Sequence, residues 1–599
     1  MNPILALEEP NSVLLETNLL NEDNSRDFLF TNPVEILVAH TLPELSISLL
    51  KIDSYIESGF YLAGYLSYEA GYLFEEGFFK KWKETVFDFP LAWFGVYKNP
   101  IVTSKYRQDK FDLTQADSFK IVSYSLNLNE SEYEEKIQRI LDYIKKGETY
   151  QVNFTIRANF SFEGNANTLY QSLKHNQHVS YSAIINDGKR QILSLSPELF
   201  FKRTKDSLVA KPMKGTSPRG KSELDDKRIK EELKNDSKTK AENSMIVDLI
   251  RNDFGKISEL GTVTVENLMQ VEEYETLFQM TSTVKSQIKK DTGYYQLFKA
   301  IFPGGSITGA PKYRTMQIIE ELESSPRDIY TGAIGFISKD ESIFNIAIRT
   351  ILIENKKGSM GVGSGIVWDS SPKKEFEECL LKQKFLFDAM AFRLIESMLF
   401  RNGKIILLTL HLKRLEKSAQ FFGFRFNKSV ILQKINSYTK KLENEDNLAC
   451  AKVRIELSRF GEVMLEHSNI LMQRKTKGKV KISPIKVFSK NIFQSHKTTI
   501  RKIYNEEYSK ATKEGFTDYI FLNEKEEVVE TCIYNIFVLI GKSFFTPPCS
   551  SGALPGVMRE YLLGKGTIKE KTLTISDLKS AEKIFLCNSV RGIMRVSLE

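Results

Sequence analysis

The stretch Lys211-Pro-Met-Lys-Gly-Thr216 places Lys214 between a proline bend and a Gly-Thr turn. Pro212 fixes its own φ, and Gly215 lets the backbone approach a ligand closely. A lysine that is held in this way and partly desolvated can lose its proton and become a nucleophile. Together with three later stretches, it predicts a site for a small dianion. These stretches, also rich in anion-binding groups, are Phe302–Lys312, Asn345–Arg349 and Gly363–Val367.

The charge of the chain favours small acidic ligands over nucleic acid. Its 599 residues carry 84 basic and 76 acidic side chains, and the resulting net charge of +8 is spread along the chain. A nucleic-acid-binding surface needs clustered basic residues or a recognised module, and the sequence has neither. A weak positive potential instead attracts acidic metabolites. At this length we expect two to four domains.

Cysteine usage and hydropathy predict a cytoplasmic protein without a membrane partner. The cysteines are scattered without a Cys-x-x-Cys pair, so we expect neither a zinc site nor a disulfide framework, and a reducing compartment fits best. The first residues have no basic region, and Glu8 and Glu9 interrupt their apolar run. No segment has the length that a membrane-spanning helix needs.

Residue periodicity predicts an α+β fold in two domains, at about 1–388 and 391–599. In the first domain, Tyr61–Val96 alternates aromatic and small residues as packed strands do, and Ser131–Lys146 is an amphipathic helix with Ser131 as its N-cap. The second domain starts with a hairpin that turns at Asn402-Gly403. Further helices are predicted at Lys240–Ile250, Lys374–Met390 and His411–Gly423, and further strands at Tyr150–Ile156, Thr331–Ser338 and Ile343–Ile353.

Three glutamates on two predicted helices suit a metal ion. Glu375 and Glu378 lie one turn apart on one helix, and Glu242 lies on the other. Two carboxylates that face one cavity repel each other unless a cation sits between them. Mg²⁺ takes one or two carboxylates together with substrate oxygens. The alternative is that these glutamates belong to solvated faces of Lys/Glu-rich helices.

With these motifs in this order, residues 1–388 resemble the chorismate-utilising enzymes, and within them most closely component I of the aminodeoxychorismate synthases. The resemblance implies a chorismate-binding domain of antiparallel sheets with flanking helices. It also implies that Glu242 and Glu378 bind Mg²⁺ against a carboxylate of chorismate, with Glu375 as their outer partner, and that Arg349 binds a substrate carboxylate through both arms of its guanidinium. The full set of residues that it places against the substrate is Gln151, Thr216, Tyr330, Arg349, Gly363, Gly365 and Lys382.

Two positions predict which reaction is catalysed, and a third provides its acid. Gln151 stands where relatives that add water to chorismate carry a lysine base, and an amide cannot take a proton from water at neutral pH. Lys214 stands where similar anthranilate synthases have an alanine. The resemblance implies that Lys214 attacks ring carbon C2 and expels the C4 hydroxyl, after which ammonia enters at C4. Glu198 matches the acid that protonates the departing hydroxyl.

Gln279 departs from the family pattern, because many relatives have a histidine there in a Tyr-x-x-x-x-His-x-x-Ser motif. A histidine that helps to eliminate pyruvate is therefore missing, which fits an enzyme that stops at the aminated intermediate. Ser12–Thr17 resembles a tryptophan-binding segment of some relatives, and ordinary strand packing is the favoured reading. No domain remains for a Cys-His-Glu glutaminase, so we expect ammonia from a separate glutamine amidotransferase subunit.

Residues 391–599 resemble the aminodeoxychorismate lyases, of the fold-type IV family of pyridoxal 5'-phosphate (PLP) enzymes. The resemblance implies a smaller α+β domain, with a homodimer through it as a further expectation. Lys497 would bind PLP and remove the C4 proton, Glu530 would pair with the pyridinium nitrogen, and Arg414 would bind the phosphate beside a helix start. The residues that it assigns to the cofactor are Arg414, Lys497, Glu530, Gly556, Val557, Met558, Asn588 and Ser589.

These motifs favour a bifunctional enzyme that converts chorismate into 4-aminobenzoate, a precursor of folate. Two alternatives keep the first domain and make the second either an aminotransferase or a non-catalytic module. A third alternative makes the first domain an anthranilate synthase, and Lys214 argues against it.

Overall fold

The computed structural model describes residues 8–17, 26–103, 119–176, 179–219, 223–273, 277–390, 392–443, 450–470 and 478–599. The chain divides into two units. One comprises Met1–Lys120 with Leu126–Ala389, and the other comprises Ile121–Ser125 with Met390–Glu599. Both contain helices and mainly antiparallel strands, so the predicted α+β class is confirmed.

The strands before residue 367 provide the two large sheets of the first unit, apart from residues 121–125 of β7, which belong to the second unit. In chain order they are β1 (Ser12–Glu16), β2 (Asp27–Phe30), β3 (Glu35–Ala39), β4 (Tyr61–Leu66), β5 (Ala92–Tyr97), β6 (Ile101–Thr103), β7 (Phe119–Leu126), β8 (Gln151–Gly164), β9 (Tyr181–Asn186), β10 (Gln191–Ser196), β11 (Leu199–Thr204), β12 (Ser207–Lys211), β13 (Met213–Pro218), β14 (Thr264–Glu273), β15 (Leu277–Gln287), β16 (Gly309–Ala310), β17 (Ala333–Ile337), β18 (Glu341–Ile346), β19 (Thr350–Glu354) and β20 (Lys357–Ile366).

The helices of the first unit surround these sheets and carry several of the predicted site residues. They are α1 (Leu42–Glu57), α2 (Glu76–Trp82), α3 (Glu130–Lys145), α4 (Ala166–Asn176), α5 (Glu223–Asn235), α6 (Ser237–Gly255), α7 (Tyr294–Ile301), α8 (Lys312–Leu322), α9 (Pro372–Lys382) and α10 (Lys384–Asp388), with short 3₁₀ turns at Tyr68–Leu73 and Gly305–Ile307.

The two sheets are antiparallel and pack against each other. One runs β16-β8-β20-β19-β10-β9-β1-β2-β6, and the other runs β13-β15-β12-β11-β18-β17-β4-β5-β3. Their inner faces share one aromatic-rich core, in which the rings of Phe28 from the first sheet and Phe336 from the second lie 4.5 Å apart. Such burial of large apolar side chains is the main favourable term in folding.

The second unit contains two further sheets. Its strands are β21 (Leu394–Arg401), β22 (Lys404–Ile405), β23 (Cys450–Leu457), β24 (Val463–Asn469), β25 (Gly478–Ile482), β26 (Asp518–Leu522), β27 (Val528–Thr531), β28 (Asn535–Ile540), β29 (Ser543–Thr546), β30 (Lys569–Glu570), β31 (Lys583–Asn588) and β32 (Gly592–Leu598). Their orders are β22-β21-β23-β24 and β27-β26-β25-β32-β31-β28-β29-β30.

The helices of the second unit are α11 (Leu408–Phe422), α12 (Lys428–Glu443), α13 (Ile492–Ser495), α14 (Lys502–Lys513), α15 (Val557–Gly564) and α16 (Ile575–Ser580), with a 3₁₀ turn at Cys549–Ser551. The predicted hairpin forms from β21 and β22, where Asn402 and Gly403 both have the positive φ that a tight hairpin turn requires. Across the described ranges, no helix is both long and apolar enough to cross a membrane.

Three local predictions need correction. Helix α3 begins at Glu130, and its N-cap is Asn129 rather than Ser131, because Asn129 and Glu132 form a reciprocal capping box. The predicted strand Ile343–Ile353 is divided into β18 and β19, since Arg349 between them adopts a left-handed φ of 49°. The predicted helix Lys374–Met390 is likewise divided, into α9 and α10.

Arg327 joins three segments of the first unit from a fully buried position. Its guanidinium donates to both carboxylate oxygens of Glu323 at 2.9 and 2.7 Å, to the Ile307 carbonyl at 2.8 Å and to the Asn153 carbonyl at 2.5 Å. It also lies 4.5 Å from the ring centre of Tyr68. Arg327 therefore connects the end of α8 to strand β8 and to the 3₁₀ turn at Gly305–Ile307.

We expect Arg327→Met to lower the free energy of unfolding of the first unit by about 3–5 kcal/mol, because it leaves the Glu323 carboxylate buried without its partner. Chemical denaturation measures this change. The matched control is Arg139→Met, which removes an exposed ion pair with Glu321 and should cost less than about 1 kcal/mol. Equal effects of the two substitutions would contradict the structural role of Arg327.

Candidate active sites

A bulge in strand β13 determines where Lys214 lies. Lys214 pairs with Met280 of β15, but the next paired residue is Thr216, opposite Gln279, so Gly215 is an extra residue. Gly215 has a φ of 74°, and a Cβ atom there would lie 2.3 Å from Cγ2 of Thr239. A glycine is therefore required at this position, as the constrained turn in the sequence predicts.

Glu198 lies directly before β11 and is 6% exposed. Burial raises the pKa of its carboxyl group to about 7, even though the charge of Lys214 and hydrogen bonds from the Ser306 hydroxyl and the Met213 backbone lower it. Near neutral pH this group therefore exists in both protonation states, and its acid form can give a proton to a leaving group close to Lys214.

Glu242 of α6 lies among charges of both signs. Burial raises the pKa of its carboxyl group, and the nearby carboxylates of Glu378 and Glu375 raise it further, while Lys214 and Lys238 lower it. Lys238 Nζ is 3.9 Å from Glu242 Oε1 and 3.8 Å from Glu375 Oε1. The predicted metal-binding glutamates are thus brought together, and their repulsion is the condition that a cation relieves.

Two glutamates of α9, Glu375 and Glu378, also make contacts with protein groups that bear on Mg²⁺ binding. Glu375 accepts a hydrogen bond from Ser370 Oγ at 2.8 Å, and Glu378 pairs with Lys382 at 2.7 Å. Among the described residues, no group of three or more His, Cys, Asp or Glu side chains is arranged to hold a metal ion by itself. The donor set fits Mg²⁺ bound by one or two carboxylates and completed by substrate oxygens.

Gln151 and Lys214 both face the glycine-rich strand β20. A Cβ atom on Gly365 would lie 2.7 Å from Gln151 Nε2 and 3.8 Å from Lys214 Nζ. Gln151 is fully buried, and neither polar atom of its amide has a hydrogen-bond partner within the described part of the chain. Because an unpaired buried amide is costly, this position points to a polar group of a ligand.

The other residues predicted to contact the substrate make different contacts of their own. Lys382 Nζ donates to the Gly363 carbonyl at 2.7 Å. The Thr216 hydroxyl donates to Gln279 Oε1 at 2.7 Å. Tyr330 is buried against β20, where a Cβ atom on Gly361 would touch its ring. Arg349 is half-buried between β18 and β19, and burial lowers the pKa of its guanidinium.

In the second unit, every residue that the sequence assigns to the cofactor lines one cavity of about 400 Å³. Burial lowers the pKa of Lys497 well below its usual value, and the charges of Arg501 and Arg414 lower it further. A neutral amine is the form that reacts with a carbonyl group. Lys497 is thus poised for the predicted covalent role.

Glu530 lies in the same cavity. Burial raises the pKa of its carboxyl group to about 7 against the opposing effect of Arg501. Its Oε2 accepts hydrogen bonds from Asn535 Nδ2 at 3.1 Å and from the Leu554 N–H at 3.2 Å. These two donors fix the direction of the carboxyl group.

Arg414 is held by a buried acid. Its Nε and Nη2 donate to the two oxygens of Glu396, each at 2.7 Å, and its Nη1 donates to the Pro555 carbonyl at 3.1 Å. Burial favours the neutral form of Glu396, but Arg414 and His411 lower its pKa to about 2. Arg414 therefore lines the cavity with its guanidinium held in place by Glu396 and by the Pro555 carbonyl.

The start of α15 provides backbone donors to the cavity. Gly556 is its N-cap residue, and Val557 and Met558 form its first turn. Among the residues that the structure describes, no side chain caps this helix. The first N–H groups of a helix lack partners within the helix and can bind a phosphate. Asn588 instead shapes the adjoining turn, since its Oδ1 accepts from the Val590 and Arg591 N–H groups at 3.1 and 2.7 Å.

Sequence reasoning missed several residues that the structure places at these sites. Ser306, which donates a hydrogen bond to Glu198, lies in the stretch Phe302–Lys312. The sequence predicts anion binding for that stretch but no separate role for Ser306. Lys452, Arg501 and Arg591 line the cavity of the second unit. Arg501 follows Lys497 by four residues, and of these three residues it is the one whose spacing could have indicated a place in the same cavity.

Comparisons with known proteins show which families the two parts of the chain match. Residues 21–388 match the family model of the chorismate binding enzymes, and residues 393–598 match that of the class IV amino-transferases. Aminodeoxychorismate synthase of Arabidopsis thaliana is 40% identical over 268 residues, which cover 44% of this chain and 29% of that protein. The chain thus spans less than a third of that relative.

Two further matches carry the name of a different enzyme. Anthranilate synthase component 1 of Saccharolobus solfataricus is 34% identical over 373 residues, 60% of this chain and 87% of that protein. The crystal structure of anthranilate synthase component I from Streptococcus pneumoniae TIGR4 matches with a TM-score of 0.52 and 24% identity, over 61% of this chain and 93% of that one. This structural match shows the fold alone.

The chain belongs to the family of chorismate binding enzymes. It is an enzyme that joins such a domain to a class IV amino-transferase domain, and the fold of the latter implies PLP. The cavity fits that cofactor, because it contains a lysine with a lowered pKa, a buried carboxyl group and the free N–H groups of a helix start.

We expect Gly556→Ala to abolish PLP binding, because its Cβ atom would lie 1.7 Å from Asn535 Oδ1 and displace the amide that orients Glu530. The visible absorbance of the purified protein measures bound cofactor. Gly564→Ala is the matched control at the other end of α15, where a Cβ atom meets nothing within 4 Å. Full PLP occupancy in the Gly556 variant would refute this assignment.

Proposed function

We propose that this chain converts chorismate into 4-aminobenzoate in two steps. The first unit aminates chorismate at C4, and the second eliminates pyruvate from the product. The observation that carries the proposal is the juxtaposition of Lys214 with the buried acid Glu198, because it supplies a nucleophile and a proton donor to one small anion-binding site.

In the first step, the lone pair of the Lys214 amine forms a bond to C2 of chorismate. The C1=C2 electron pair moves to C1=C6, the C5=C6 pair moves to C4=C5, and the C4–O bond breaks. Glu198 gives its proton to the hydroxyl, which leaves as water. Ammonia then bonds to C4, the electron pairs move back and Lys214 departs, while Glu198 regains a proton from ammonium.

Glu242 and Glu378, with Glu375 behind them, would hold Mg²⁺. The ion supplies positive charge that binds a substrate carboxylate and offsets the repulsion among these glutamates. Arg349, Tyr330, Lys382 and the backbone at Gly363 and Gly365 bind and orient the substrate carboxylates. Gln151 offers its unpaired amide to the substrate and supplies no base, so water is not activated.

Anthranilate synthesis is the competing reaction, and the name of the Saccharolobus solfataricus relative favours it. It requires amination at C2, the atom that Lys214 occupies in our scheme. Lys214 Nζ lies 3.8 Å from the position of a Cβ atom on Gly365. Because Lys214 blocks C2 in this scheme, the incoming ammonia is directed to C4.

In the second step, PLP when bound supplies a sink for the electron pair left at C4. Lys497 removes the C4 proton, the C3–O bond breaks, and the three-carbon group leaves as pyruvate while the ring becomes aromatic. Glu530 would pair with the pyridinium nitrogen of PLP and so favour its electron-accepting form. Lys452, Arg501 and Arg591 line the cavity and match the negative charge of a dicarboxylate substrate.

The same proposal includes a separate glutamine amidotransferase subunit as the source of ammonia, a homodimer formed by the second unit, and a cytoplasmic location. The chemical steps above do not depend on these three features. In a purified reaction, free ammonium replaces the amidotransferase as the source of ammonia.

We expect Lys214→Ala to lower the rate of aminodeoxychorismate formation by at least about a thousandfold, because the substitution removes the nucleophile. Product formation from chorismate, Mg²⁺ and ammonium is followed by mass spectrometry. Lys211→Ala is the control in the same stretch, since Lys211 pairs with Glu272 at 2.7 Å, and it should retain the rate. Retained activity in the Lys214 variant would refute the proposal.

The pKa of Glu198 predicts the pH dependence of the first step. Because burial raises this pKa to about 7, the proton-donating form is present below pH 7 and is lost as the pH rises through it. At a constant concentration of free ammonia, kcat for amination should therefore fall about tenfold per pH unit above 7. Glu198→Gln should give a low rate that does not change over this range. An unchanged decline in that variant would exclude Glu198 as the acid.

A further inference from the structure

We propose that Gln279 is a positioning residue that holds Lys214 in its reacting place. This inference rests on the proposed function of Lys214, and it assigns a purpose to the glutamine that replaces the histidine of many relatives. The side chain contacts two neighbouring residues of the bulge and does not itself touch the reacting atoms.

The contacts of Gln279 lie on both sides of the bulge. Its Nε2 donates to the Gly215 carbonyl at 2.8 Å, and its Oε1 accepts from the Thr216 hydroxyl at 2.7 Å. Lys214 comes directly before these two residues, and its own backbone pairs with Met280. One amide therefore holds both the Gly215 peptide group and the Thr216 side chain, which follow the nucleophile.

The chemistry of the side chain suits this task. A carboxamide carries its donor and its acceptor on one carbon atom, so it can satisfy a carbonyl and a hydroxyl on adjacent residues. Gly215 needs such a restraint, because a glycine with a φ of 74° has access to many other backbone conformations. Without it, the Lys214 amine would sample positions away from the substrate.

The same strand also fixes the helix that carries Glu242. Ser282 Oγ donates to Asn243 Oδ1 at 2.6 Å, and it accepts from the Met269 N–H at 2.9 Å. Both Ser282 and Asn243 are fully buried. Strand β15 thus holds the Lys214 bulge through Gln279 and helix α6 through Ser282, which sets the distance between nucleophile and metal-binding acid.

The test compares three variants of the full chain. Gln279→Met keeps the volume of the side chain and removes both hydrogen bonds, so kcat for amination should fall at least about tenfold, while KM for chorismate stays within about twofold. Gln279→Glu keeps the acceptor for Thr216 but turns a carboxylate oxygen towards the Gly215 carbonyl, so its kcat should also fall. Lys285→Met is the control on the same strand, where Lys285 pairs with Glu266 in an exposed position.

A second measurement isolates the nucleophilic step. Rapid quenching and intact mass analysis with chorismate and Mg²⁺, in the absence of ammonia, follow the adduct of Lys214 with dehydrated chorismate. Its rate of formation should fall in parallel with kcat in both Gln279 variants. A purely structural defect would instead lower the fraction of active enzyme and leave the rate of the remaining fraction unchanged.

Wild-type kcat and adduct rates in Gln279→Met would overturn this inference and leave the role of Lys214 intact. Full activity of Lys214→Ala would instead refute the proposed function itself. If the methionine variant does not fold, as judged by circular dichroism, Gln279→Glu decides by the same rates.

Discussion

A buried carboxyl group close to a lysine is the constraint on which both units depend. Glu198 approaches Lys214, and Glu530 approaches Lys497, and in each case burial raises the pKa of the acid to about 7. Taking ionisable groups out of water is unfavourable, so each pair persists only because the surrounding fold holds it in place. In the first unit that support comes from two packed sheets, and in the second from the hydrogen bonds of Asn535 and Leu554.

The two lysines are controlled in different ways. Lys497 lies among Arg501 and Arg414, and this positive environment adds to burial in lowering its pKa. Lys214 lies opposite carboxylates, and its position is determined by the bulge at Gly215 and by Gln279. In our proposal the first unit therefore relies on placement of the nucleophile, whereas the second relies on a cofactor and on the electrostatics of its cavity.

Many residues of the two candidate sites could be selected from sequence, because they occur in short local patterns. The α+β class and the joined domains are confirmed, and the residues assigned to PLP all line one cavity. Contacts between distant segments could not be foreseen, such as Arg414 with Glu396 or Gln279 with Gly215. Arg349 interrupts a β-branched stretch through a positive φ, although it is not a glycine. Asn129 is the cap instead of Ser131 because it forms a reciprocal capping box with Glu132.

The position of nitrogen in the product tests the central claim most directly. The purified chain is supplied with chorismate, Mg²⁺, PLP and ¹⁵N-ammonium, and the aromatic product is identified by NMR. Amination at C4 followed by pyruvate elimination gives ¹⁵N-labelled 4-aminobenzoate, in which the nitrogen lies para to the carboxylate. Labelled anthranilate, with the nitrogen ortho to the carboxylate, would contradict the roles proposed for Lys214 and Glu198.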